Sequence, residues 1–232
     1  MKEIILFEFE SANVPLSETT AEQLSELAAF MLEYNQKVNL TRITEPEEIA
    51  EKHFLDSILP LTFLDVPRGT KCADIGTGAG FPALPMKLYR PDLDFTLIDS
   101  LGKRVTYLKL ACEKLGVACT VLHARGEEAA KDPKLREQFG FVTARAVAAL
   151  NVLCEYCLPF VEMGGCFAAM KGAQDETDGA ENAVKSLGGE IESIKQYNLP
   201  NGDRRNLVLI RKVKETPPRY PRAGGVISKK PL

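Results

Sequence analysis

The sequence predicts an α/β protein with a doubly wound parallel sheet and a helical extension in front of it. Three observations lead to this class. From Lys71 onward apolar runs alternate with helix-compatible segments, a glycine-rich loop at 76–80 follows the first run, and the second run ends on an acid, Asp99. A strand, a glycine loop, a helix, a second strand and an acid, in that order, make up half of a nucleotide-binding sheet.

The helical extension is expected to span residues 1–66, followed by the sheet domain at 67–214 and a basic tail at 215–232. Its first predicted helix covers 17–36, because five apolar residues recur there at helical spacing. They are Leu24, Leu27, Ala28, Met31 and Leu32.

A second helix is predicted to begin at Thr44, with Glu47 completing a capping box. Its residues Lys52, His53 and Asp56 are expected to project off the apolar face. Lys52 and Asp56 stand four residues apart, which predicts a surface ion pair. His53 has two interpretations, a substrate contact or a hydrogen-bonded structural histidine.

Five parallel strands and a terminal hairpin are predicted for the sheet. The apolar runs that define them lie at 72–75, 95–98, 118–122, 141–146, 166–170, 190–199 and 206–213. Ligands bind such sheets at the carboxyl ends of the strands. Arg145 lies at one of these ends, interrupting an apolar run, and an unpaired guanidinium would be costly to bury there. We therefore expect Arg145 to face the ligand crevice or to pair with an acid, and we favour the site role.

The glycine loop itself distinguishes between ligand classes. Dinucleotide-binding loops usually read G-x-G-x-x-G, whereas here Asp74 is followed by Gly76, Gly78 and Gly80 at alternate positions. The pattern D-x-G-x-G-x-G resembles motif I of S-adenosylmethionine-dependent methyltransferases. A turn without a ligand is the plainer alternative, but three alternating glycines are costly where one would do. Asp99 can accept hydrogen bonds from two ribose hydroxyls. The sequence thus predicts a Rossmann-like, seven-stranded methyltransferase fold that binds S-adenosylmethionine.

Charge is unevenly distributed along the chain. The 232 residues are 45% hydrophobic and carry a formal net charge of −3. Residues 203–232, however, hold nine Lys/Arg and two Asp/Glu, a net charge of +7, and the remainder carries −10. A basic end on an acidic body indicates either a local contact with an anion such as RNA or a solvated tail.

The apolar segments do not resemble a membrane span, a secretory signal or a disulfide framework. The pair Cys154 and Cys157 has the spacing of a redox or zinc motif, but no second such pair accompanies it. Buried core thiols in a reducing cytoplasm are the favoured interpretation. We expect a cytoplasmic monomer that binds neither membrane nor metal.

Nearly the whole chain resembles one family, ribosomal RNA small-subunit methyltransferase G, also called glucose-inhibited division protein B. The matching stretches are YNQKVNLTRIT (34–44), KHFLDSI (52–58), DIGTGAGFP (74–82), TARAVA (143–148), MKG (170–172), RNLVLI (205–210) and YPR…KKPL (220–232). The chain departs from the usual family tail, in which a proline or threonine often precedes the terminal lysines. Here residues 223–228 read AGGVIS.

The resemblance implies methyl transfer from S-adenosylmethionine to N7 of one guanine in 16S ribosomal RNA of the small subunit. It implies that Gly76, Phe81, Gly126, Glu127 and Arg145 bind the cofactor. Three further cofactor-binding residues come from the loop motif and the ribose argument: Asp74, Gly78 and Asp99. The expected contacts with nucleic acid are basic residues and one histidine: His53, Lys171, Arg204, Arg205, Arg222, Lys229 and Lys230.

The motifs that the chain lacks agree with this chemistry. No cysteine follows a proline, as methylation of cytosine C5 would require of its nucleophile. The Asn/Asp-Pro-Pro-aromatic loop of amine methyltransferases is replaced by residues 144–147, ARAV. Guanine N7 offers a lone pair and has no proton to remove, so alignment and charge stabilisation suffice. We therefore assign no catalytic base, and His53, Lys171 and Arg145 are candidates for positioning the base or its phosphates.

Three alternatives remain at this stage: methylation of another RNA, a protein or a small molecule, a non-catalytic cofactor-binding assembly factor, and a dinucleotide-binding domain. The glycine spacing disfavours the last. If the tail binds RNA, deletion of 217–232 should weaken RNA binding and its salt dependence while leaving cofactor affinity intact.

Overall fold

A computed structural model of the chain describes residues 1–174 and 176–232. Seven strands form one mixed sheet. They are β1 (Lys71–Ile75), β2 (Asp94–Asp99), β3 (Thr120–His123), β4 (Phe139–Arg145), β5 (Val161–Lys171), β6 (Gly189–Asn198) and β7 (Arg204–Lys212). Their spatial order is β3-β2-β1-β4-β5-β7-β6, with β7 antiparallel to both β5 and β6. The predicted seven-stranded methyltransferase sheet is confirmed.

Helices cover both faces of the sheet and the chain termini. The α-helices are α1 (Lys2–Ser11), α2 (Glu18–Asn35), α3 (Pro46–Glu48), α4 (Asp56–Ile58), α5 (Pro60–Phe63), α6 (Ala83–Tyr89), α7 (Gly102–Lys114), α8 (Gly126–Ala129), α9 (Leu150–Cys157), α10 (Glu181–Ser186) and α11 (Gly224–Lys229). A π-helix at Ile49–Leu55 joins α3 to α4, and a 3₁₀ turn at Leu158–Phe160 precedes β5. No helix in the described ranges is long and apolar enough to cross a membrane.

Two hydrophobic cores lie on opposite faces of the sheet. One contains the apolar stripes of α1 and α2, the π-helix, α6 and α7, together with one set of strand residues such as Cys72 and Phe95. The other contains α9, α10 and the alternate strand residues, such as Ala73 and Ile98. The N-terminal helices therefore pack directly on the sheet, because their apolar side chains complete its first core. The domain division at residues 66 and 214 stays a prediction.

The helix that follows α2 differs from its prediction. No side-chain capping box forms at Thr44, since the helix begins at Pro46 after Glu45, whose side chain makes no capping bond. The next seven residues are a π-helix, a geometry that often marks functional sites. Its wider turn brings both His53 and Asp56 inward, and they are 8% and 4% exposed. The expectation that they project off the apolar face was wrong.

The strand order reverses at β1, which lies between β2 and β4. In open α/β sheets the ligand crevice lies outside the carboxyl ends of the strands at this switch point. Asp74 of β1 and Thr143 of β4 are direct register partners there. The carboxyl edge of these two strands is therefore the place to look for a site.

Candidate cofactor and nucleic-acid site

The glycine loop after β1 needs its glycines for different reasons. Gly76 and Gly78 have φ of +72° and +61°, in the left-handed region that favours glycine. A Cβ on Gly78 would meet only a backbone oxygen at 3.9 Å, so the space beside it is open. A Cβ on Gly80 would instead overlap the side chain of Leu84 in α6. Gly78 thus gives a ligand access to the backbone, and Gly80 permits the following helix to pack.

Asp74 lies beneath this loop and is fully buried. Its Oδ1 accepts a hydrogen bond of 2.9 Å from the Thr143 hydroxyl. Its Oδ2 and the Thr77 hydroxyl oxygen are buried without a hydrogen-bond partner among the described residues. Burial disfavours the charged carboxylate and raises the pKa of Asp74 to about 7. The Thr77 hydroxyl and the Ala83 backbone N–H lie near enough to the carboxylate to oppose this rise in part, so Asp74 is surrounded by the loop that it supports.

Asp99 connects the end of β2 to two neighbouring loops. One carboxylate oxygen accepts from the backbone N–H of Gly78 at 2.9 Å, and the other from that of Leu101 at 2.8 Å. Arg104 lies 3.7 Å from the same carboxylate. Asp99 therefore fixes the open glycine against the start of α7, and its position beside Gly78 suits contact with a ribose.

Gly126 and Glu127 open α8, at the carboxyl end of β3. A Cβ on Gly126 would lie 2.9 Å from the Ile75 side chain, so the missing side chain lets α8 approach β1. Glu127 is only 7% exposed. Its carboxylate occupies the space that a Cβ on Gly224, in the C-terminal tail, would need.

These residues fit S-adenosylmethionine. The open space at Gly78 offers access to the backbone, and the Asp99 carboxylate beside it offers an acceptor for hydroxyls. Asp74 lies buried behind this loop, bonded to Thr143. Most of the predicted cofactor residues lie around the carboxyl ends of β1, β2 and β3, whereas Arg145 ends β4 and lines a second cavity. Their individual contacts with the cofactor stay predictions.

Phe81, at the end of the glycine loop, connects this region to a second one. The His53 ring stacks on the Phe81 ring with centroids 4.3 Å apart and an angle of 11° between the planes. The guanidinium of Arg145 lies 5.5 Å from the same ring centre. Both side chains line a cavity of about 390 Å³ at the carboxyl ends of β4 and β5.

This cavity, which we call the basic cavity, carries more positive than negative charge. Four basic side chains and two carboxylates line it: Lys52, Arg145, Lys171, Arg205, Asp56 and Glu176. Its other walls are His53, Ile43, Ala146, Met170 and Gly172. Its volume and charge suit a nucleotide base with its phosphate.

Asp56 is the centre of the charge network in the basic cavity. Its carboxylate accepts from Arg205 at 3.1 Å and from the Tyr197 hydroxyl at 3.0 Å, and lies 3.4 Å from Arg145. The predicted ion pair between Lys52 and Asp56 was wrong, since Lys52 pairs with Glu48 at 2.6 Å. Asp56 points inward because the π-helix rotates it toward the sheet. One carboxylate thus holds two guanidinium groups in place.

His53 and Lys171 both line the basic cavity. Nε2 of His53 shares a 2.9 Å hydrogen bond with the hydroxyl of Thr41. Burial, with Arg145 nearby, lowers the pKa of His53 to about 3, so the ring is neutral at physiological pH. The Lys171 ammonium donates to the Ala148 carbonyl at 2.7 Å and pairs with Glu176 at 3.0 Å.

The other predicted nucleic-acid residues fall into two groups. Arg204 is exposed on β7 and lines, with Arg205, a pocket separate from the basic cavity. Lys229 and Lys230 are exposed at the end of the tail. The Arg222 guanidinium is engaged inside the protein, where it donates to both carboxylate oxygens of the buried Glu155. Contact of these residues with RNA stays a prediction.

Cys154 and Cys157 lie fully buried on α9 as free thiols. Burial raises the pKa of Cys154 above its usual range. Among the described residues, no group of His, Cys, Asp and Glu is arranged to hold a metal ion. These observations agree with the interpretation as core thiols.

Three important residues escaped the sequence analysis. Thr143 binds Asp74, Tyr197 binds Asp56, and the fully buried Glu155 binds Arg222. Thr143 gave a signal, since it is the polar residue in the apolar run before Arg145. Tyr197 and Glu155 gave none, because their partners are distant in sequence and only the fold brings them together.

Solved structures of low sequence identity share this fold. An S-adenosylmethionine-dependent O-methyltransferase from Thermotoga maritima matches with a TM-score of 0.54 and 14% identity, over 81% of this chain and 72% of that one. A 16S rRNA (adenine(1408)-N(1))-methyltransferase variant from Catenulisporales acidiphilia matches with a TM-score of 0.55 and 12% identity, over 67% and 88%. The chain therefore has the fold of the S-adenosylmethionine-dependent methyltransferases.

Sequence comparison gives the family. The profile of the GidB family, rRNA small subunit methyltransferase G, matches residues 20–209. A ribosomal RNA small subunit methyltransferase G from Lactobacillus johnsonii is 45% identical over all of this chain and 97% of its own length. Its counterpart from Pelotomaculum thermopropionicum is 46% identical over 94% and 93%. This chain belongs to the rRNA small subunit methyltransferase G family, as its motifs had suggested.

Proposed function

We propose that this protein transfers a methyl group from S-adenosylmethionine to N7 of a guanine in 16S ribosomal RNA. Family membership supports the ribosomal substrate. The observation that carries the proposal is the contact of His53 and Arg145, in the basic cavity, with Phe81, at the end of the cofactor loop. A base held in this cavity would lie beside the cofactor, as methyl transfer requires.

The two carboxylates of the basic cavity favour N7 of guanine as the methyl acceptor over an atom that must first lose a proton. Asp56 is engaged by Arg145 and Arg205, and Glu176 by Lys171 and the Leu150 amide. Because these donors already occupy both carboxylates, neither is free to approach a proton on the substrate. The bound cofactor supplies an electrophilic methyl group, and N7 offers a lone pair without a proton. The surrounding cations hold the nucleotide and its phosphate in line.

Methyl transfer can be tested directly on ribosomal RNA. The protein is incubated with labelled S-adenosylmethionine and with small subunits or naked 16S RNA that lack the modification. The product is mapped by chemical cleavage at N7-methylguanine. We expect label at one guanine in at least one substrate. Label on a different atom would refute the N7 assignment, and no transfer to either substrate would refute the ribosomal one.

A pair of lysine variants tests the role of the basic cavity. Lys171→Met removes a cation from the cavity, whereas Lys185→Met removes an exposed one on α10. We expect Lys171→Met to raise the KM for RNA about tenfold, the value of one charge-assisted contact, and to leave cofactor affinity unchanged. Equal effects of the two variants would refute a specific role for the cavity.

The exposed lysines of the tail provide a separate test of RNA binding. The double change of Lys229 and Lys230 to Ala removes two charges from exposed positions. If both contact phosphates, the slope of log K against log salt should fall by about 1.4 to 1.8. As a control, the variant should unfold at the same temperature as the parent protein. An unchanged slope would show that the tail lysines do not bind RNA.

A further inference from the structure

The C-terminal tail, residues 215–232, packs against the side chain of Glu127. A Cβ on Gly224 would overlap Oε1 of Glu127, whereas one on the next residue, Gly225, would meet nothing within 4 Å. Glu127 itself is only 7% exposed. Position 224 therefore admits only glycine unless the Glu127 carboxylate moves.

The backbone at Gly224 is held on both sides and cannot easily retreat. Two residues earlier, the Arg222 guanidinium donates to both oxygens of the fully buried Glu155, at 2.6 to 3.1 Å, and its backbone N–H donates at 2.8 Å. Three residues later, the side chain of Ile227 is fully buried. Bidentate arginine–carboxylate pairs fix geometry as well as adding binding energy.

The segment before Arg222 is anchored as well. The Arg136 guanidinium donates to the backbone carbonyls of Thr216 at 2.7 Å and of Tyr220 at 2.8 Å. Nearby, the buried Lys212 ammonium pairs with Glu137 at 2.9 Å and donates to the Thr216 hydroxyl at 2.6 Å. These contacts hold the start of the tail against the rest of the protein, although the sequence predicts only a basic tail there.

We propose that Gly224 is a positioning residue for the cofactor site, whose backbone keeps the Glu127 carboxylate in the orientation that binds S-adenosylmethionine. This inference rests on the proposed function, in which S-adenosylmethionine is the methyl donor, and on the predicted contact of Glu127 with that cofactor. A side chain at position 224 displaces the carboxylate and weakens that contact. Because Glu127 lies on α8 and Gly224 on the tail, the tail helps to complete the cofactor site.

Two alanine substitutions test this positioning. Gly224→Ala adds the overlapping Cβ, and Gly225→Ala adds a Cβ in open space one residue away. The affinity for S-adenosylmethionine is measured by titration calorimetry, and the KM for cofactor and for RNA by methyl transfer. We expect Gly224→Ala to weaken cofactor binding about tenfold, with an unchanged KM for RNA. Gly225→Ala should bind the cofactor like the parent protein.

A double variant separates positioning from general damage to the structure. Glu127→Asp shortens the carboxylate by one methylene and draws it away from position 224. In the Glu127→Asp background, Gly224→Ala should therefore cause no further loss of cofactor affinity. Equal additional loss in both backgrounds would show that the two residues act independently, which would overturn the proposal.

Glu127→Gln distinguishes failure of this inference from failure of the cofactor assignment. For this purpose Glu127→Met, which removes both acceptor oxygens at similar length, is measured beside Glu127→Gln. If Glu127→Met also binds S-adenosylmethionine like the parent protein, Glu127 is not a cofactor ligand and both statements fail. If it binds weakly while Gly224→Ala binds normally, the cofactor assignment stands and the positioning role is refuted. Thermal unfolding of each variant shows whether a loss of affinity comes from a loss of folded protein.

Discussion

Replacing Asp74 by Asn should stabilise the free protein at alkaline pH and make its stability less dependent on pH. Burial raises the pKa of Asp74 from 3.8 to about 7, so the folded protein binds a proton that the unfolded chain has released. For a raised acid pKa, this group's contribution is most favourable below pH 3.8 and is lost as the pH rises to 7. The difference of about three pKa units corresponds to about 4 kcal/mol at pH 8 and above.

The effect can be isolated by comparing the two proteins at each pH. Between pH 5.5 and 8.5 the parent should lose about 2 kcal/mol relative to Asp74→Asn, because half of the titration falls in that range. Asn retains a carbonyl oxygen for Thr143, so the existing hydrogen bond survives. The assay is urea unfolding of both proteins across this range, in which other titrating groups cancel. A difference that stays constant within about 0.5 kcal/mol would refute the raised pKa of Asp74.

Three further predictions concern stability. Arg222→Ala leaves the buried Glu155 carboxylate unpaired and should cost about 3 kcal/mol in urea unfolding, with partial recovery in Arg222→Lys. Asp56→Asn removes the counter-charge of two guanidinium groups and should cost about 2 to 3 kcal/mol, and no loss would contradict the network. Ala146 has φ of +57°, so Ala146→Gly should stabilise by up to about 1 kcal/mol, whereas Ala144→Gly in β4 should destabilise by a similar amount.

The sheet was predictable because its signals are local. Each parallel strand is an apolar run, and Gly116, with φ of +63°, ends α7 near the predicted position. Helix α1 was not predicted, although Ile5 and Phe9 stand four residues apart and are both buried. The π-helix around His53 could not be predicted, because periodicity assumes 3.6 residues per turn and a π turn breaks that count.

The residues of the candidate site also divide into those that could be predicted from the sequence and those that could not. Residues that follow a strand, such as Gly78, Asp99 and Arg145, could be placed because strand ends converge at one edge of a parallel sheet. The role of Asp56 could not be foreseen, since its partners Tyr197 and Arg205 lie more than a hundred residues away. The sequence spacing predicted an ion pair between Asp56 and Lys52. In the folded protein Asp56 pairs with Arg145 and Arg205 instead. Local rules therefore located the cofactor loop, and only packing revealed the charge network of the basic cavity.

The position of the tail changes how RNA binding must be tested. Deletion of 217–232 was expected to affect RNA binding and to leave cofactor affinity intact. The deleted segment includes Arg222, which satisfies the buried Glu155, and Gly224, which contacts Glu127. Deletion would therefore disturb stability and the cofactor site together, and a loss of methyl transfer could not be assigned to RNA. The exposed Lys229 and the Gly224 backbone belong to one tail, so point substitutions are needed to separate them.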